Sequence, residues 1–212
     1  FCGFPLIGTS RFPLPVVVNS RHFHPTEKRN GIWLTESDQE EPTENRRIFE
    51  EVAELYQYLI EVAASKEWND LFHLAHVTEP DGIPQLSESW YSNRVMEPIH
   101  ETLVREPLVE VASGERRPIR DEEGNKLVHF PNDDTKEARE AYWELQVAHR
   151  ANILPKKSHI HEWSKIRGII DIFGAASVTV THFVNQNKGI DELSDSLEMN
   201  VEETIVWLRE LY

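Results

Sequence analysis

The stretch PTENRRIFEEVAELYQYLIEVAAS, from Pro42 to Ser65, decides the fold class. Ile48, Val52, Leu55, Tyr56, Leu59 and Val62 recur at the three- and four-residue spacing of one helix face. Thr43 stands where an N-cap is needed and Glu44 falls in the first turn, so the pattern predicts a helix over 44–65. The residues before this helix read as extended chain, and most of those after it read as shorter helices.

On the N-terminal side, Phe4-Pro5-Leu6-Ile7-Gly8 is a short apolar run closed by glycine. In Phe12-Pro13-Leu14-Pro15-Val16-Val17-Val18-Asn19, two prolines exclude a helix and three valines favour a strand, either at a sheet edge or starting only at Val16. Gly31-Ile32-Trp33-Leu34-Thr35 reads as a second strand, and a loop of about ten residues would join the two as a hairpin. On the C-terminal side, Leu71–Val77 fits a helix end or a buried strand. A helix over about 89–105 buries Trp90, Val95, Ile99, Leu103 and Val104, and Pro98 inside it is expected to kink or split it. Leu108 to Arg120 reads as a hairpin, and Leu127–Phe130 as a further strand. Thr135 caps a helix running to about Asn152, and a short helix surrounds Trp163 and Ile166. Ser177–Val184 fits strand or helix, with helix favoured. Two short helices, Ile190–Leu197 and Val201–Leu211, close the chain. The fold class expected is α+β, helix-rich with a small mixed β-sheet. Its segments are a strand pair over 1–40, a helical α+β region over 41–170 and a helical segment over 171–212.

The 212 residues carry 37 acidic against 22 basic side chains, a formal charge of −15. That surplus repels phosphates and anionic lipid, which argues against a nucleic-acid partner. With 39% hydrophobic residues and six tryptophans, the chain can build a sizeable core and is not disordered. No run approaches about 18 apolar residues, so no membrane span is expected. The single cysteine, Cys2, excludes a disulfide framework and a cysteine-based zinc site, which fits a cytoplasmic protein. The first residue is Phe and no signal peptide comes after it, which suggests a piece of a longer protein.

The chain holds no GxxxxGKS/T loop, no GxGxxG, no GxSxG and no HExxH. His22-Phe23-His24 and His159-Ile160-His161 are HxH pairs, and His73 and His76 stand three apart. On a strand, HxH places both rings on one face, as a metal site needs, so His22, His24, His159 and His161 are weak metal-ligand candidates that still lack a third ligand. Arg21, Lys28 and Arg29 gather three cations into one loop of an acidic chain, where they could hold a phosphate oxygen or merely neutralise the acidic stretch from Glu36 to Glu44. The segment from Ile190 to Leu208 has the cadence of a helix-turn-helix, but Glu202 and Glu203 open its second helix and Arg209 is that helix's one cation. A structural helical pair is therefore the better reading.

The opening residues carry a resemblance. Phe4-Pro5-Leu6-Ile7-Gly8-Thr9, Phe12 to Ser20 and Arg29-Asn30-Gly31-Ile32-Trp33-Leu34 resemble the sacsin-like branch of the heat-shock-chaperone-type ATPases. These belong to the superfamily of gyrase, histidine kinases and MutL, called GHKL, and in this branch such a segment lies just after the ATP-binding core. Asp191 to Tyr212 is also similar to the further course of large bacterial members. The superfamily's ATP pocket uses an ExxxN helix, a DxGxG turn and a glycine-rich lid, and this chain has none of them in order; Asp121-Glu122-Glu123-Gly124-Asn125 reads as a turn. The resemblance therefore implies a fragment from the end of the ATPase domain or just past it, not catalytic alone. ATP and magnesium would be held by the full-length protein, with no cofactor bound to this fragment. By position, Arg21, Lys28 or Arg29 would contact the terminal phosphate. The implied partners are the ATPase domain of the same chain and a client or partner protein.

Three functions stay open at this level. The first is a middle-like coupling region that passes nucleotide state to a client. The second is an acidic protein–protein interaction module with no nucleotide role. The third is a metal-dependent hydrolase using the HxH pairs.

Overall fold

The computed structural model describes residues 14–28, 31–77, 83–166 and 176–210. The chain is helix-rich α+β and divides into two compact units, Phe1–Leu108 and Val109–Tyr212. The division falls inside the stretch read as 41–170.

The first unit is organised by α1, Glu40–Ser65, a helix of 26 residues and about 39 Å. It begins one turn earlier than its pattern predicts, with Gln39 as the cap residue. Pro42 is accommodated because a first-turn N–H has no intrahelical acceptor to lose. Thr43 therefore does not cap; its hydroxyl donates to the Ser37 carbonyl at 3.2 Å. Phe49, Ala53, Tyr56, Ile60 and Ala63 form the buried face of α1. Leu71–Ala75 forms a short 3₁₀ turn, and the Tyr56 hydroxyl donates to its Leu74 carbonyl at 2.7 Å.

Opposite lies a composite helix: α2, Glu88–Tyr91, a π-helical turn at Ser92–Met96, and α3, Glu97–Arg105. Ser87 caps it, its hydroxyl accepting from the Trp90 N–H. The predicted disturbance at Pro98 takes this form: the π turn precedes the proline, which then occupies the opening turn of α3, where a missing donor is tolerated. Tyr91, Val95, Ile99 and Leu103 are fully buried on this helix. Phe23, Phe49, Trp90 and Tyr91 form a chain of ring contacts 6.2 to 6.5 Å apart.

His100 on α3 is largely buried, and burial pushes its imidazole down to about 4. An unfolded chain protonates histidine near about 6.5, so between these values the unfolded state takes a proton that the folded state refuses. Stability is thus lost as the pH falls from about 6.5 towards about 4, and is flat above that window. Urea unfolding at about pH 7.5 and about pH 5 is expected to show a larger acid loss for the wild type than for His100→Gln. Equal losses would assign the acid sensitivity to other groups.

The expected N-terminal strand pair is corrected. Val16–Val18 joins no sheet among the described residues, and Val17 is 97% exposed. Prolines 13 and 15 withhold two ladder donors beside it. The reversal closes later and tighter: Pro25 bridges Ile32, and the Thr26 N–H donates to the Gly31 carbonyl at 2.9 Å. Leu34 bridges Leu86 instead.

The second unit contains two separate two-stranded sheets rather than one mixed sheet. β1, Val109–Glu110, pairs antiparallel with β2, Arg116–Arg117, and Gly114 turns the hairpin with a φ of +88°, a conformation glycine adopts without strain. β3, His129–Pro131, pairs in parallel with β4, Ala176–Val178. α4, Lys136–Arg150, is capped by Thr135 as predicted, its hydroxyl accepting from the Ala138 N–H at 3.1 Å. α5, Ile160–Lys165, packs against β3, placing the Trp163 ring 5.4 Å from that of Phe130. Ser177–Val184 resolves into both alternatives: β4 ends at Val178, and α6, Val180–Gln186, starts where the Asp133 carboxylate accepts from the Val180 N–H. α7, Ile190–Leu197, and α8, Val201–Glu210, form the expected helical pair. Among the described residues no helix is long and apolar enough to cross a membrane.

Candidate functional site

The cation loop takes its shape from how its backbone is held. Asn45, fully buried on the core face of α1, grips it at two places. Its Oδ1 accepts from the His24 N–H at 2.8 Å, while Nδ2 donates to the His24 carbonyl at 2.8 Å and to the Trp33 carbonyl at 3.0 Å. One amide side chain thus satisfies three backbone groups on both arms of the reversal. Beside it, His24 Nε2 lies 2.7 Å from a Glu44 carboxylate oxygen. The hydrogen bond from His24 holds the Glu44 carboxyl below the ordinary range, with the charges of His24, Arg47 and His22 adding to it. Phe23 fastens the same loop to Phe49 by its ring.

The chain leaving the loop is tied to α1 as well. The Arg46 guanidinium donates to the carbonyls of Thr35 and Ser37. The Glu36 carboxylate accepts from the hydroxyls of Ser87 and Ser89 at 2.7 and 2.8 Å, and these bonds hold its carboxyl below the ordinary value. Glu50 joins α1 to the composite helix, accepting from Trp90 Nε1 at 2.9 Å and from Arg94. Between loop and helix start lies an open cleft of about 520 Å³, lined by Trp33, Thr35, Ser37, Asp38, Gln39 and Pro42.

The sequence-level candidates distribute unevenly over this frame. Arg21 and Lys28 are both exposed, and Arg21 Nε donates to His22 Nε2 at 3.1 Å. Arg29 lies outside the described residues. Within the acidic stretch Glu44 is contacted by the His24 ring, and the Arg46 guanidinium is spent on backbone carbonyls. Ser20–Phe23 is a turn, closed by the Phe23 N–H on the Ser20 carbonyl, so His22 and His24 do not share the face of a strand. His159 ends a 3₁₀ turn while His161 lies inside α5, with its Nε2 2.8 Å from Glu140. Among the described residues no three His, Cys, Asp or Glu side chains converge as a metal-holding group. Asp121 and Asn125 close the turn read from the sequence, the carboxylate accepting from the Asn125 backbone and side-chain N–H groups at 2.7 and 2.8 Å.

Asn45 is the residue that sequence reasoning passed over. Its signal was present: a poor helix former on the same stripe as Phe49 and Ala53, where an apolar residue is expected. Comparison with protein-family models, with curated proteins and with solved structures finds no match to the chain.

Proposed function

We propose that this chain is the middle-like coupling region of a sacsin-like, chaperone-type GHKL ATPase. It passes nucleotide state from the ATP-binding domain of the same protein to a client or partner. The observation that carries the reading is the clamp of the cation loop onto the start of a 26-residue helix, in the segment whose sequence resembles that family. A loop fixed at both arms moves only with the helix that holds it. A cation of that loop placed near a terminal phosphate would stabilise the ATP-bound arrangement and lose its partner after hydrolysis. A differential contact of about 3 kcal/mol shifts a two-state equilibrium by roughly a hundredfold. ATP and magnesium belong to the full-length protein, and the chain described here supplies the reporting cation and the lever.

The test is steady-state ATP hydrolysis by the full-length protein carrying Arg21→Ala, Lys28→Ala or Arg29→Ala. At least one variant is expected to lose about tenfold in turnover, the scale of one removed phosphate donor. Arg94→Ala, whose partner is Glu50, is expected to leave turnover unchanged. Unchanged turnover in all three loop variants would end the phosphate reading.

A further inference from the structure

α1 buries one face and leaves a second apolar line uncovered beside it. Leu55 and Tyr58 are 67% and 64% exposed, and half-buried Leu59 and Val62 continue the same line. Leu55, Tyr58 and Val62 are spaced i, i+3, i+7, which is the a, d, a spacing of a coiled-coil seam rather than a scatter of surface leucines. In that frame Glu54 and Glu61 both fall at the g position, the place whose charge selects the partner helix. Among the described residues the ion pairs of this helix are made by Glu44, Glu50 and Glu51 and do not include Glu54 or Glu61. Glu61 also crowds a second acid: burial and the Glu61 charge push the Glu106 carboxyl up. The seam therefore has an acidic edge with unrelieved like-charge repulsion, which an incoming cation relieves. A second copy of the chain would bring the same glutamates and a charge of −15 against them.

We propose that the exposed seam of α1 docks a basic amphipathic helix of a partner protein, with leucine-like side chains on Leu55, Tyr58 and Val62 and lysine or arginine against Glu54 and Glu61. The seam spans about one heptad, from Leu55 to Val62, which suits a transient contact rather than an obligate one. The proposal goes beyond the nucleotide reading and does not rest on it, because no part of the cation loop takes part.

Fluorescence anisotropy of a labelled peptide of about four heptads, with leucine at a and d and lysine at e and g, tests it against the intact chain without nucleotide. Binding is expected, with a loss of at least about tenfold in Leu55→Ser/Tyr58→Ser and in Glu54→Gln/Glu61→Gln. The altered side chains are exposed, and an unchanged circular dichroism melt confirms that each variant is folded. A twin peptide with glutamate at e and g, and a scrambled lysine peptide, are expected to bind at least about tenfold more weakly. Absence of binding, equal binding of the scrambled peptide, or full binding by Leu55→Ser/Tyr58→Ser overturns the proposal. A wild-type dimer in sedimentation that the same variant dissociates would assign the seam to a second copy and overturn it as well.

Discussion

Asn45→Ala lowers the unfolding free energy by about 3 kcal/mol, the expected cost of leaving the His24 N–H and the carbonyls of His24 and Trp33 without their partner. The loss exceeds that of an ordinary side-chain hydrogen bond because three backbone groups depend on one amide. Asn45→Asp separates the two halves of the clamp. It keeps an acceptor for the His24 N–H but turns a carboxylate towards two carbonyls, which raises the carboxyl pKa in the folded state. A raised folded pKa means that the folded protein binds the proton more tightly, so the deficit of Asn45→Asp relative to wild type shrinks as the pH falls. Urea unfolding of wild type and both variants at about pH 7 and about pH 5 reads both effects. An Asn45→Ala loss below about 1 kcal/mol would show that the loop is held by other contacts.

Trp163→Ala is the larger loss, about 4 kcal/mol, and falls on the second unit. Trp163 is 2% exposed on a helix of six residues, too short to be stable by its own backbone, so the ring's packing on Phe130 is what keeps α5 on β3. Removal leaves a cavity and frees the helix. Trp163→Phe retains a ring for the stack and is expected to cost less than half as much. Near-ultraviolet circular dichroism and urea unfolding of the two variants measure the difference, and equal losses would show that the volume of the indole, not its stacking, is what matters.

Periodic helices were legible from the residues, and pairings between distant segments were not. The 3.6-residue period of Ile48 to Val62, the Thr135 cap and the closing helical pair are local signals, written within one or two turns of chain. The strand at Val16–Val18 failed for a different kind of reason. Three valines make a good strand only if another strand lies alongside, and nothing within the segment says that Pro25 and Leu34 take the bridges instead. The parallel pairing of His129–Pro131 with Ala176–Val178 joins residues 47 apart and had no local signature at all. At the candidate site, Arg21 and Lys28 stood out by charge, and the structure leaves both exposed at the surface. Glu36 looked like one more member of an acidic run and turned out to accept from two serines more than 50 residues away. Lys156 and Lys157, half-exposed, pair with Glu110 and Glu144, partners 46 and 13 residues away in the chain.

The π-helical turn at Ser92–Met96 has a consequence for which changes in length the chain tolerates. An α-helix advances about 100° per residue, so in an unbroken helix Trp90, Tyr91, Ile99 and Leu103 would be strewn over about 220° of its circumference. A π turn takes up one residue more for the same rotation, which brings these four within about 120° of one another. The turn is thus an inserted residue kept in place by the core it aligns. Deleting an exposed residue of the turn, Ser92 or Asn93, would restore a regular α-helix and leave Ile99 and Leu103 facing α1, whereas adding a further residue there would rotate both by about 100° away from it. The segment is thus asymmetric towards changes in length, accepting a loss of one residue and resisting a gain, although its composition gives no hint of it.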